Sequence, residues 1–409
     1  MDKRRVVVTG MGIASPLGCD VAGAAARVQR GESGICAMPE WDSIDHFAPR
    51  LAAPVALPDH LEIPRKASRT MGRVAQLATV ASGLAIEDAG LAEDELRGGG
   101  VGLAYGSTHG SSAANEEWVR KLIAQNGFLG LSSTTYLKFM SHTTAANLAI
   151  HYGIRGRVIS TSAACVSGSQ AIGYGFEAIS SGIADAMVCG GAEELHFTHV
   201  AVFDMLYAAS KAFNDTPDQS PRPFDARRDG LVVGEGAGTF VLEEYERARR
   251  LGKHIYAEIV GYGTNCDGTH VTNPSRDGMR GAMELALSSA GAAPDDIDYV
   301  NAHATATVIG DVAESEATYA LFGDRVPVSS LKGHIGHTLG ACGAIEAALT
   351  IAMLRGGWIA PTRNLDKVDA QCAPLDYVMG ASRSASLRRV MCNKFAFGGI
   401  NTSLIFATV

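Results

Sequence analysis

One cysteine in the sequence has surroundings that suit a nucleophile. In STSAACVSGS (160–169), a strand-like run ends at Cys165 and a helical run of small residues follows it. At a helix N-terminus, free backbone N–H groups and the positive end of the helix dipole stabilise a thiolate, so we expect a lowered thiol pKa and a larger reactive fraction. From this position alone, a buried structural cysteine at a strand end is an equally good interpretation.

Two later segments each place a histidine just after a predicted strand. NAHATAT (301–307) contains His303, and KGHIGHTLGA (332–341) contains His337. A thiol and two imidazoles are the side chains expected for covalent catalysis assisted by hydrogen-bond donors or bases. The three residues therefore form the candidate catalytic set.

The histidine spacing also raises the question of a metal site. His334 lies three residues before His337, and His196 and His199 repeat that spacing. Two-histidine spacing alone is weak, and we find no Asp, Glu or Cys ligand in a suitable register beside either pair. We predict no metal ion and no redox cofactor.

The elements that must position these residues alternate along the chain. Short β-rich runs, such as VVVTG (6–10) and AMVCGGAEE (186–194), are separated by helical stretches rich in Ala, Gly and Ser, which predicts an α/β fold. The second half echoes the first: CVSGSQAIGYGFEAISSG is matched by GHTLGACGAIEAALTIAM. Small residues inside helices predict very close packing between sheets. We predict two closely packed halves, residues 1–250 with the cysteine and 251–409 with the two histidines.

Composition excludes several classes of protein. The 409 residues carry a net charge of -8, which argues against a nucleic-acid partner. Apolar runs such as 347–354 are far shorter than the roughly 20 residues of a membrane span. Only 19% of residues are charged, which predicts that a subunit interface covers much of the surface.

The N-terminus and the cysteines indicate the compartment. Basic residues at 3–5 precede an apolar run and Cys19, but Thr9 and Gly10 interrupt the apolar core that an export signal needs. The 8 cysteines form no CxxC pair and no clustered spacing, so we expect reduced thiols. Both observations predict a cytoplasmic protein.

Together with NKFAFGGIN (393–401), the cysteine and histidine segments resemble the signature segments of the β-ketoacyl-acyl carrier protein synthases, condensing enzymes of the thiolase superfamily. The resemblance covers nearly the whole chain, including VVVTGMGIASPLG (6–18), RPFD (222–225) and GEGAG (234–238). A Cys-His-His set is typical of the elongating type I and II synthases, whereas initiating enzymes carry Cys-His-Asn. The resemblance implies a thiolase-like fold, with duplicated βαβαβ halves in a layered αβαβα arrangement.

The resemblance also implies a role for each catalytic residue. Cys165 would attack the thioester of an acyl-carrier protein and hold the acyl chain. His303 and His337 would donate hydrogen bonds to the malonyl thioester oxygen as carbon dioxide leaves. Lys332 and Glu346 would support the two histidines. The fatty acid or polyketide product would be a β-ketoacyl-acyl carrier protein.

Further residues match binding positions of the family. Backbone N–H groups of Cys165 and Phe397 would form an oxyanion hole, and the Phe397 ring matches the gate over the acyl pocket. Thr305 and Thr307 match residues that bind the phosphopantetheine arm, which belongs to the substrate. Each hydroxyl could instead cap a turn, and the Phe ring could simply fill the core.

A basic stripe is the candidate dock for the carrier protein. Lys66, Arg69 and Arg73 stand at helical spacing, and such a stripe could meet an acidic carrier helix, although most charge runs are solvated faces. Lys66 and Arg69 also match basic docking positions of the family, whereas Arg73 rests on spacing alone.

Three alanines depart from the family pattern. Ala304 and Ala306 replace small or polar residues, and Ala396 stands where glycine is common. Alanine restricts backbone freedom where glycine allows positive φ, so we expect the loop around Phe397 to move differently. These departures leave open a substrate from fatty-acid elongation or from a specialised route such as aryl polyene or polyketide assembly.

Other classes of protein remain as alternatives. A non-catalytic chain-length partner would lack the nucleophile, and a thiolase using coenzyme A would not carry the KGHIGH segment. The resemblance implies a homodimer, with a heterodimer containing an inactive chain-length factor as the rival.

Overall fold

The computed structural model describes residues 3–409. Its strands are β1 (Val6–Ala14), β2 (Cys36–Ala37), β3 (Leu51–Ala52), β4 (Val101–Gly106), β5 (Val158–Thr161), β6 (Ala186–Glu193), β7 (Gly236–Glu244), β8 (Ala257–Cys266), β9 (Tyr299–Asn301), β10 (Pro327–Ser329), β11 (Trp358–Ile359), β12 (Asp376–Tyr377), β13 (Arg383–Ser384), β14 (Arg389–Phe395) and β15 (Ile400–Ala407).

The helices connect these strands. They are α1 (Val21–Gln29), α2 (Arg73–Asp88), α3 (Glu93–Arg97), α4 (Ser112–Gln125), α5 (Ser133–Phe139), α6 (Thr143–Tyr152), α7 (Ser167–Ser180), α8 (Phe197–Met205), α9 (Tyr245–Arg250), α10 (Arg276–Ala290), α11 (Val308–Phe322), α12 (Lys332–Ile335) and α13 (Cys342–Gly356).

The main sheet contains the same strand order twice. Its order is β12-β10-β9-β14-β15-β8-β1-β7-β6-β4-β5, and β1 pairs antiparallel with β8 at the centre. Outward from the centre, one side reads β1, β7, β6, β4, β5 and the other reads β8, β15, β14, β9, β10. On each side the first two pairings are antiparallel and the next two are parallel. The predicted duplication is confirmed, while the boundary between residues 250 and 251 stays a prediction.

The two halves of the main sheet, on either side of the β1–β8 pairing, form the two β layers of a five-layered αβαβα arrangement, and helices form the other three layers. α2 packs on β1 and β7 on one outer face, and α10 packs on β8 and β15 on the other. α7 and α13 pack against each other in the middle and contact strands of both halves. Each of these central helices follows the third main-sheet strand of its half in chain order, β5 or β10. The predicted thiolase-like α/β fold is therefore confirmed.

Small residues allow the central layers to approach closely, as predicted. A Cβ atom at Gly168 would lie 2.9 Å from the Gly340 carbonyl oxygen, and one at Gly173 would overlap the Tyr262 ring. Among the described residues, only Leu339–Gly356 is long and apolar enough to cross a membrane, but it is 83% buried inside the protein. This segment is a core helix of the fold.

Candidate active site

The turn that carries Cys165 is built between β5 and α7. Residues Ala164–Val166 form a single 3₁₀ turn, and Ala164 has a left-handed φ of 47°. The Ser167 hydroxyl accepts from the Ala163 N–H at 2.9 Å and donates to the Ala164 carbonyl at 2.7 Å, which fixes the turn. Cys165 is only 7% exposed and lies directly before α7, as the sequence predicts.

The direction of the Cys165 pKa shift differs from the sequence prediction. Burial raises the pKa of the thiol above its ordinary value, and the neighbouring Cys342 thiol adds to the increase, whereas Lys332 opposes it. Desolvation of the thiolate outweighs the stabilisation that we expected from the helix N-terminus. The resting nucleophile is therefore a neutral thiol, and it must lose its proton during the attack.

His337 is placed to receive that proton. Its Nε2 lies 3.0 Å from the Cys165 Sγ. Gly336, with φ of 67°, turns the chain out of α12, and the His337 backbone N–H donates to the Val232 carbonyl at 2.7 Å. Burial lowers the His337 pKa well below its usual value, and the Lys332 charge lowers it further. A neutral imidazole can accept the proton or donate its own.

His303 completes the cluster from the end of β9. The two imidazole rings are 5.1 Å apart and nearly perpendicular. The pKa of His303 is also well below its usual value, through burial first and then the charge of Lys332. The Nδ1 atoms of both rings have no hydrogen-bond partner within residues 3–409. One sulfur or nitrogen atom from each of Cys165, His303 and His337 lies within 4.8 Å of the other two. A metal ion could also use this spacing, so the absence of a metal stays a prediction.

Lys332 and Glu346 lie beside the histidines and form a buried ion pair. Lys332 Nζ is 2.5 Å from Glu346 Oε1 and donates to the His303 carbonyl at 2.9 Å. The structure thus brings together all five residues proposed for catalysis, in an arrangement that fits the predicted supporting role of this pair. Their individual roles stay predictions.

Two further charged residues at the site were missed by sequence reasoning. Glu314 on α11 accepts from the backbone N–H groups of His303 and Ala304, at 2.7 and 2.6 Å, and so holds the histidine segment in place. Lys394 on β14 lies 3.0 Å from Glu346 Oε2. A lysine inside the apolar strand VMCNKFAF was a signal that could have drawn attention to this position.

A cavity of about 290 Å³ leads to the thiol and the two imidazoles. Its lining includes the three predicted binding residues Thr305, Thr307 and Phe397. The two threonine hydroxyls are 3.2 Å apart, and the Phe397 ring packs against Phe203 at 5.5 Å between centroids. The arrangement fits a thiol-terminated arm reaching Cys165, while the binding and oxyanion roles stay predictions.

The three alanine departures have different backbone consequences. Ala306 has φ of 71°, a strained conformation for a residue with a Cβ, and its N–H donates to Asp311 at 3.1 Å. Neither Ala304 nor Ala396 has a positive φ; in the loop that contains Ala396, Gly398 and Gly399 do, at 86° and 71°. Alanine at 396 therefore does not itself strain the backbone.

The weighed metal-ligand candidate His334 and the predicted docking residues Lys66 and Arg69 lie outside the catalytic cluster. Both ring nitrogens of His334 face backbone carbonyls, those of Glu32 and Pro361, and His334 is not part of the catalytic cluster. Lys66 and Arg69 are exposed, but α2 begins only at Arg73, so the predicted helical stripe is wrong.

Arg73 is not a free docking group. Its guanidinium pairs with Glu235 at 2.8 Å and donates to the Val55 carbonyl at 2.7 Å. A tertiary ion pair therefore explains this arginine.

Comparison with known proteins identifies the family. The β-ketoacyl synthase N-terminal domain model matches residues 3–248, and the C-terminal domain model matches residues 256–366. The chain is 38% identical to 3-oxoacyl-[acyl-carrier-protein] synthase 1 of Haemophilus influenzae over 98% of both chains. It is 40% identical to synthase 2 of Vibrio cholerae over 99% of both.

Solved structures agree with these matches. A β-ketoacyl synthase from Burkholderia phymatum is 51% identical, with a TM-score of 0.95 over 99% of this chain and 100% of that one. A ketosynthase solved in complex with its chain length factor, from Xenorhabdus doucetiae, is 25% identical, with a TM-score of 0.85 over 99% and 98%. This chain belongs to the β-ketoacyl synthase family of condensing acyltransferases.

Proposed function

We propose that the chain elongates an acyl group held on Cys165 by decarboxylative Claisen condensation with malonyl-acyl carrier protein. The observation that carries this proposal is the contact between a buried thiol and one of two neutral imidazoles at the same cavity. The names of the two synthase relatives include the acyl carrier protein, which supports this carrier as the substrate donor.

The first half-reaction loads the enzyme. Cys165 Sγ attacks the thioester carbonyl of the acyl donor and forms a new carbon–sulfur bond, while the phosphopantetheine sulfur leaves. The thiol proton passes through His337 Nε2 to the leaving sulfur, since that nitrogen lies 3.0 Å from Sγ. Covalent loading divides one difficult carbon–carbon bond formation into two easier steps.

The second half-reaction extends the chain. The bond between the malonyl α-carbon and its carboxylate breaks, carbon dioxide leaves, and the electron pair passes into an enolate. His303 and His337 stabilise the enolate oxygen by donating hydrogen bonds. The α-carbon then attacks the acyl carbonyl on Cys165 and the carbon–sulfur bond to the cysteine breaks. The released thiolate takes up the one proton that the overall reaction consumes from solvent, through His337 Nε2.

The test is a product assay with defined substrates. Malonyl-acyl carrier protein is incubated with saturated, unsaturated and aryl polyene acyl-carrier proteins, and mass spectrometry follows enzyme and product. We expect an acyl adduct on the enzyme and a β-ketoacyl product formed with release of carbon dioxide. The best donor identifies the substrate class, and absence of both adduct and product with every donor would favour a non-catalytic partner.

We propose that Lys66 and Arg69 bind the acidic surface of the carrier protein. Both are exposed in the segment before α2. Lys66→Glu combined with Arg69→Glu is expected to raise the KM for acyl-carrier protein about tenfold at low salt, with a smaller effect at high salt, because rim charges act mainly on encounter. Steady-state kinetics at two salt concentrations measure this effect.

The control for this docking prediction is another exposed arginine. Arg249→Glu on α9 changes a side chain that is 59% exposed, with a 3.5 Å surface ion pair and a guanidinium 5.5 Å from the centre of the Tyr245 ring. It should leave the KM unchanged. An unchanged KM in the double charge-reversal variant as well would rule out the proposed dock.

We propose that the chain forms a homodimer through the β5 edge of the sheet. β5 is the terminal strand of the main sheet, and Val158 on it is 46% exposed. Ile123, Phe128 and Leu129 are 73 to 86% exposed in and after α4. Sedimentation of the chain alone should give a dimer; a monomer would favour pairing with an inactive homologue, as in the ketosynthase–chain length factor complex.

A further inference from the structure

Lys394 is a buried ammonium group at the centre of the catalytic region. Its side chain is inaccessible to solvent on β14, three residues before Phe397. Lysine is almost never fully buried unless it is paired. The contacts of Lys394 therefore indicate its role.

Those contacts connect the segments that carry the catalytic groups. Lys394 Nζ lies 3.0 Å from Glu346 Oε2 on α13. It also donates to the Asn301 side-chain oxygen at 2.9 Å, at the end of β9. His303 follows Asn301 by two residues, and His337 lies in the segment that leads to α13. One ammonium group thus holds together the supports of both imidazoles.

Charge balance does not require this second lysine. Lys332 alone neutralises Glu346, which it contacts through the other carboxylate oxygen, Oε1. Another buried carboxyl, Glu314, is bound by two backbone N–H groups, and burial raises its pKa to about 7. Because desolvating an extra ammonium is costly, a second lysine is a poor way to add stability here. This cost favours a role in the reaction.

We propose that Lys394 is a positioning residue for decarboxylation, which fixes Glu346 between two ammonium groups and thereby holds Lys332, His303 and His337 in their reactive arrangement. Lys332 donates a hydrogen bond to Oε1 of Glu346, whereas Oε2 faces the Lys394 ammonium as an ion pair at 3.0 Å, so the second charge disfavours rotation of the Glu346 side chain away from Lys332. Lys332 in turn holds the His303 carbonyl at 2.9 Å. The inference rests on the decarboxylating roles proposed above for the histidines.

Lys394 also contributes charge. Its charge and that of Lys332 both lower the pKa of His303 and of His337, so both favour neutral imidazoles. The same positive potential stabilises the negative charge that develops on the enolate oxygen. The positioning effect and the charge of Lys394 therefore both act on malonyl decarboxylation.

The test is Lys394→Met, a neutral change of similar length. We expect the kcat for malonyl-acyl carrier protein decarboxylation to fall at least about tenfold, as for groups coupled through one network. The KM for that substrate and the rate of Cys165 acylation should stay within about twofold. The melting temperature should change little, because Met removes the desolvation cost of an extra ammonium but also leaves the buried Asn301 oxygen without this donor.

Three comparisons make the result decisive. Ser403→Ala removes another buried hydrogen bond next to β14, from the Ser403 hydroxyl to Asn393 at 2.8 Å, and should keep full decarboxylation. Lys394→Gln, which keeps polarity without charge, replaces Lys394→Met if that variant does not fold. A folded Lys394 variant with decarboxylation within twofold of wild type overturns the inference, as does an equal loss in acylation. His303→Ala distinguishes a failure of the Lys394 inference from a failure of the proposed histidine roles. Unchanged decarboxylation in the His303 variant would overturn the histidine roles.

Discussion

Replacing Cys165 by alanine is expected to abolish acyl transfer to the enzyme and to lower the rate of condensation at least about 10⁴-fold, the scale seen when a catalytic nucleophile is removed. Each of the other 7 cysteines lacks the contact with His337. Intact-protein mass spectrometry after incubation with acyl-carrier protein measures loading directly.

The Cys165→Ala variant should keep the decarboxylation activity. Alanine leaves His303 and His337 in place, and neither imidazole depends on the thiol for its buried position. Cys165→Ala should therefore still release carbon dioxide from malonyl-acyl carrier protein. Cys189→Ala is the matched control, because it removes another fully buried thiol, on β6, that has no contact with His337. If the Cys165 variant still loaded an acyl chain, the nucleophile would be misassigned.

His303→Ala is expected to lower malonyl decarboxylation by about 10² to 10³-fold, the usual effect of removing one donor to a developing oxyanion. His303 makes no contact with the Cys165 thiol comparable to that of His337, so acyl loading should fall much less. The two steps can be measured separately, by carbon dioxide release and by adduct formation.

His337→Ala provides the contrast. Its Nε2 touches the thiol, so we expect both acyl loading and decarboxylation to fall in this variant. Equal effects of the two histidine variants on both steps would contradict the division of roles. His334→Gln serves as a control for a buried imidazole, since its ring faces two backbone carbonyls away from the cluster.

Sequence reasoning found the catalytic residues because their local signals are strong. Cys165 and His303 each follow a strand, and His337 follows the short helix α12 after β10; all three lie in segments with a recognisable pattern, and a duplicated α/β order makes strand ends converge. Lys394 and Glu314 carry no such pattern. Their contacts, with Glu346 and with the His303 backbone N–H, exist only after distant segments have packed.

Tertiary context also explains the two wrong predictions. A helix N-terminus lowers a thiol pKa where solvent is near, but Cys165 is 7% exposed, and burial reverses the direction. Helical spacing of Lys66, Arg69 and Arg73 implied one stripe, yet the helix starts at Arg73 and Glu235 binds that arginine. Neither burial nor an ion pair across 162 residues can be read from local spacing.

Three of the eight non-glycine residues with positive φ among residues 3–409 lie near the catalytic groups. Ala164 and Leu339 have φ of 47° and 45°, next to Cys165 and two residues after His337, and Ala306 has φ of 71° between the two cavity threonines. Such conformations cost of order 1 to 3 kcal/mol each and persist where surrounding packing enforces them. The tightly packed centre of the fold supplies that constraint.

The repeated strand order gives the two halves matching places in the site. Cys165 follows β5, the third strand of the first repeat, and Lys332 follows β10, the third strand of the second. His303 follows β9, whose counterpart β4 leads only to Ser107 and Thr108. The protein thus resembles two copies of an ancestral unit joined into one chain. Because the two units are parts of one chain, their sequences can differ: the cysteine lies in the first repeat, and both histidines of the cluster lie in the second.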